Sequence, residues 1–97
     1  MDRRENRIRQ AELLADQAAC REKQGALLQA EQLMRQAMNI ARELLEETGA
    51  AADAARAEEY ALALADLCMQ QGNMHGADYC YGKALDFAEY RSEAGDA

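Results

Sequence analysis

The sequence predicts an all-α protein of four antiparallel helices paired into two helix-turn-helix hairpins. Three observations carry that reading. Proline is absent and alanine abundant, which favours long unbroken helices because alanine loses no side-chain entropy there and proline would break them. Almost no segment combines β-branched with aromatic residues, so strands have little support. The chain also repeats itself: residues 18–41 align without a gap on residues 65–88, an offset of 47. Gln24 and Gly25 fall on Gln71 and Gly72. Ala18, Ala30, Ala37 and Ala41 fall on Ala65, Ala77, Ala84 and Ala88. Met34, Met38 and Ile40 meet Tyr81, Leu85 and Phe87.

The elements follow in order. A first helix is expected over about 4–24, stopping where Gly25 can take a positive φ without a Cβ clash. A second runs over about 27–47 and ends near Thr48 and Gly49. Its Ala30, Met34, Ala37 and Ala41 share one face. A third runs over about 53–71, with Asp53 as its N-cap, although the alanine-rich stretch before it allows an earlier start. A fourth runs over about 74–91, with Ala77, Tyr81, Ala84 and Ala88 as its packing face. The small, polar residues 92–97 read as a flexible tail. The 97 residues form one domain, with hairpins over about 4–48 and 51–91.

The charge of −7 is uneven. The first ten residues hold four arginines against two acids, whereas the rest holds seven basic and sixteen acidic residues. The acidic body argues against nucleic acid. The arginine cluster reads as a solvated first turn, with RNA or an acidic partner as the alternative. Three unclustered cysteines argue against a disulfide framework and for a reducing compartment. No signal peptide and no stretch of about 20 apolar residues is present, so a cytoplasmic protein with no membrane contact is expected.

The segment LADLCMQQGNMHGADYCYGKALDFAE resembles a tetratricopeptide repeat. Leu64, Ala65, Gly72, Ala77, Tyr81 and Ala84 fit that family's large–small pair, turn glycine and small–aromatic–small series. The first copy fits less well, because Gln17 stands where an apolar residue belongs. Both copies lack the closing proline, and the offset of 47 exceeds the family's usual repeat, as in its long-helix variants. The resemblance implies a short right-handed α-solenoid whose first helices line an inner groove. It implies a scaffold that holds a protein or peptide.

On that frame the groove candidates are Ala15 and Ala19 in the first hairpin, and Leu62, Asp66 and Met69 in the second. They make a mostly apolar strip with an acidic rim, without the cationic set that clamps a terminal carboxylate. An amphipathic helix carrying some basic residues is the expected ligand. Two repeats also leave two open ends. Leu13 and Cys20 lack the preceding hairpin that should cover their equivalents Tyr60 and Leu67. Tyr79 and Tyr90 point away from the packing face of the fourth helix. These four residues are the self-association candidates, with a homodimer the simplest closed form.

Enzyme chemistry finds little footing. His75 is the only histidine and stands at a turn. Cys68 reads as core and Cys80 as a flank residue. The cysteine spacing offers no metal site, and no phosphate-cradling loop is present. No catalytic residue, metal, cofactor or small-molecule substrate is expected. The leading expectation is a non-enzymatic interaction module that self-associates. A dedicated chaperone or obligate subunit, of the kind that serves secretion machinery, comes second. A thiol sensor using Cys80 or Cys20 comes third.

Overall fold

The computed structural model describes residues 2–95. They form four helices: α1 (Arg3–Lys23), α2 (Leu27–Thr48), α3 (Ala51–Gln70) and α4 (Met74–Gly95). Among the described residues there is no strand, and no helix is long and apolar enough to cross a membrane. The packed interfaces follow chain order: α1 on α2, α2 on α3, α3 on α4. The result is an open, flat array of 40 × 31 × 15 Å with α1 and α4 at its two edges.

The two hairpin turns are copies in atomic detail. After α1, Gly25 N donates to Glu22 O (3.0 Å) and Ala26 N to Arg21 O (2.9 Å). After α3, Gly72 N donates to Met69 O (3.0 Å) and Asn73 N to Cys68 O (2.9 Å). Both glycines have positive φ, 80° and 76°, so each turn needs the residue that lacks a Cβ. The copies differ at the next helix start. Asn73 Oδ1 accepts from Gly76 N at 3.0 Å, whereas its equivalent Ala26 provides no side-chain cap.

Alanine builds the core. Ala11, Ala30, Ala37, Ala41, Ala54, Ala57, Ala61 and Ala65 are fully buried, which lets helices approach closely around Leu44, Leu64 and Leu67. α3 buries nine residues against two in α1, as expected of an inner element beside an edge one.

Three expectations change. Asp53 is not the N-cap of α3: the helix begins at Ala51 after Ala50, and Asp53 sits in its first turn, fully buried. The packing face of α4 is Ala77, Cys80, Ala84 and Phe87, and Tyr81 stands outside it, 45 % exposed. Cys80 therefore belongs to the core rather than a flank. Last, α4 continues to Gly95, so residues 92–95 of the expected tail are helical. The rest of that tail, Asp96 and Ala97, lies outside the described residues.

Candidate functional site

α1 and α3 lie side by side and run the same way, bridged at both ends. At their starts, Arg4 donates to both carboxylate oxygens of Asp53 at 3.0 Å. At their ends, Gln70 Nε2 donates to Glu22 and, at 3.0 Å, to Asp66. Between the bridges lies a cleft of about 520 Å³. Arg9, Glu12, Ala15 and Asp16 form one wall, and Ala52, Ala55, Arg56, Glu59 and Tyr60 the other.

The two walls carry the same motif. Arg9 and Glu12 stand 47 residues before Arg56 and Glu59. Each helix thus presents an arginine and, one turn on, a glutamate, above small alanine side chains. Tyr60 is buried at the cleft's edge, and that burial pushes its phenol above the ordinary range.

Of the expected groove residues, Ala15 lines this cleft. Ala19, Leu62, Asp66 and Met69 do not, although helical spacing keeps them on the same faces nearer the C-terminal ends. All four are exposed. The expected apolar strip without cationic donors is corrected here, because Arg9 and Arg56 give the cleft positive as well as negative walls. A longer alignment window would have found both arginines, since they match at the same offset as the glycines.

Asp53 closes one end of the cleft. Burial alone would raise its carboxyl. The Thr48 hydroxyl and the Arg4 and Arg56 guanidiniums more than reverse this, and hold it below the ordinary carboxylate range. Arg56 Nη1 lies 2.9 Å from Oδ1. Thr48 also accepts from Ala50 N at 3.1 Å, so the α2–α3 turn is tied to the carboxylate it surrounds. Arg7 adds ion pairs to Glu43 and Glu47 of α2, at 2.8 and 2.9 Å. Arg4 and Arg7 of the N-terminal cluster are therefore fastened to the chain's own acids, which the solvated-turn reading did not anticipate.

The end residues divide. Leu13 is 52 % exposed over an apolar hollow that also touches Leu14, and Cys20 is exposed. Tyr79 is exposed, with Lys83 Nζ 5.5 Å from its ring centroid. Tyr90 keeps part of its ring exposed, but its hydroxyl donates to Gly49 O at 2.8 Å, which ties α4 to the α2–α3 turn. The sequence reading missed Tyr81, Leu85 and Met74, all exposed on α4.

Cys68 and Cys80 are both buried and lie side by side across α3 and α4, and burial pushes both thiols up. A raised thiol carries little thiolate, the reactive form. Among the described residues no three His, Cys, Asp or Glu side chains gather as a metal site. The chain matches no protein-family model, no curated protein and no solved structure.

Proposed function

We propose that this chain is a non-catalytic protein-binding module of two tetratricopeptide-like hairpins, which holds a segment of another protein along the α1–α3 cleft. The observation that carries this reading is the matched Arg9–Glu12 and Arg56–Glu59 walls over an alanine floor. Side chains of both signs at fixed spacing suit a peptide with alternating charges, and small floor residues let its backbone approach closely. Arg56 is already held by Asp53, so Arg9 is the cation with more freedom to meet a ligand. Leu62 and Met69 extend the same face and offer apolar contact beyond the cleft. The reading includes self-association through the exposed ends.

A displayed library of short peptides, selected on the full chain, tests the cleft. Selected peptides should carry both signs of charge, weaken with added salt, and lose binding to Arg9→Glu and to Glu59→Arg. Peptides that bind those variants as tightly as the parent chain would overturn the assignment of the cleft, and so would a selection that yields none.

A further inference from the structure

The α2–α3 junction inside the molecule is a template for what its edges can meet. Gln71 Nε2 crosses it to Glu31 Oε1 at 2.8 Å. Tyr60 and Leu67 lie on the same stripe of α3 as Gln71, and Met34 and Met38 on the same stripe of α2 as Glu31. These four side chains are 6 %, 2 %, 7 % and 8 % exposed and belong to one core cluster.

Shifting each stripe by the repeat offset gives the outer faces. The α2 stripe Glu31, Met34, Met38 becomes Asp78, Tyr81, Leu85 on α4. The α3 stripe Tyr60, Leu67, Gln71 becomes Leu13, Cys20, Gln24 on α1. Tyr81 and Leu85 are 45 % and 60 % exposed, and Leu13 is 52 % exposed.

We propose that copies of this chain stack head to tail, the outer face of α4 in one copy receiving the outer face of α1 in the next, as α2 receives α3. Three features favour a second copy as the occupant. The amide–carboxylate pair recurs, Gln24 with Asp78 standing for Gln71 with Glu31. The bulk is complementary: inside, Tyr60 and Leu67 of α3 share one core cluster with Met34 and Met38 of α2, and outside, Leu13 of α1 would be set against Tyr81 and Leu85 of α4. The charge is complementary as well. In the template the first half of α3 runs along the second half of α2. The same placement sets Arg3 at the start of α1 beside Asp86, Glu89 and Glu93 of the neighbour, while Arg4 and Arg7 stay paired with Asp53, Glu43 and Glu47 of their own chain. Gln10 and Gln17 replace Ala57 and Leu64 on the α1 stripe, so the contact is weaker than the internal one and reversible. Its two faces differ, so the assembly is open-ended rather than a closed pair.

The proposal rests on reading the chain as an interaction module, but it uses none of the cleft. Sedimentation velocity of the full chain, from micromolar to millimolar concentration at low salt, tests it. The mean mass should rise past the dimer without a plateau. Leu13→Glu and Leu85→Glu, both at exposed positions and checked for retained helicity, should each stay monomeric alone. Their equimolar mixture should form a one-to-one dimer, because each variant keeps the face that the other has lost. A plateau at the dimer, a mixture that stays monomeric, or a parent chain monomeric at millimolar concentration would each overturn the stacking. A monomer that still binds its selected peptide would remove the stacking and leave the binding module standing.

Discussion

Tyr60 on α3 and Leu13 on α1 occupy the same position of their hairpins and live in different surroundings. Tyr60 is 6 % exposed, in the core cluster between its neighbours, and Leu13 is 52 % exposed at the edge of the array. Asp53 and Asn6 form a second such pair. The carboxylate is fully buried among Arg4, Arg56 and Thr48, while the amide is exposed. Position within the repeat sets which way a side chain points. Position within the array sets whether anything covers it. The adjustments in sequence agree: the inner stripe reads Ala57, Tyr60, Leu64, Leu67, and its edge counterpart Gln10, Leu13, Gln17, Cys20. Polar residues at alternate places make an end tolerable in water. α4 has fewer such concessions, since Met74, Tyr81 and Leu85 remain exposed together.

The widest separation between inner and edge positions should come from truncation. Tyr60→Ala should cost about 3 kcal/mol, because it opens a cavity in the core. Leu13→Ala should cost less than about 0.5 kcal/mol in dilute solution, where no neighbour covers it. Urea denaturation of both variants reads the contrast, and equal losses would break it.

The second pair separates less widely and depends on pH. Asp53→Asn should cost about 2 kcal/mol at neutral pH by removing a charged acceptor of several hydrogen bonds. Asn6→Ala should cost less than about 0.5 kcal/mol. The folded pKa of Asp53 lies below its unfolded value of about 3.9. Its contribution is therefore complete above that value and fades as pH falls through the lower folded one. The gap between the parent and Asp53→Asn should accordingly narrow below about pH 4. Denaturation curves from neutral to acidic pH check the sign, and a gap that widens in acid would contradict it.

The sequence made the periodic parts legible: four helices, the glycine turns and the uncovered Leu13 and Cys20 all follow from spacing. What escaped it depends on partners far along the chain. Asp53 carries the local mark of an N-cap, and the guanidinium of Arg4, 49 residues away, joins Thr48 and Arg56 around it as a buried carboxylate. Cys80 and Tyr81 are adjacent on α4, so a small error in helical phase exchanges which one packs. The arginines of the cleft walls were readable from the same repeat, but Arg9 stands before the segment in which the repeat is plainest. The exposed face of α4 needed the burial of its counterpart on α2 to be seen as an unfilled junction.

The equivalence of the inner junction and the outer faces is tested most directly by cross-linking. Gln24→Lys places an amine where the template sets an amide beside Asp78. A zero-length carbodiimide should then join position 24 of one copy to Asp78 of another, which isotopically mixed copies would distinguish from bonds within one chain. That bond between copies and a ladder of covalent multimers are the expected outcome. Bonds formed only within single chains, or between copies only at other acids, would contradict it.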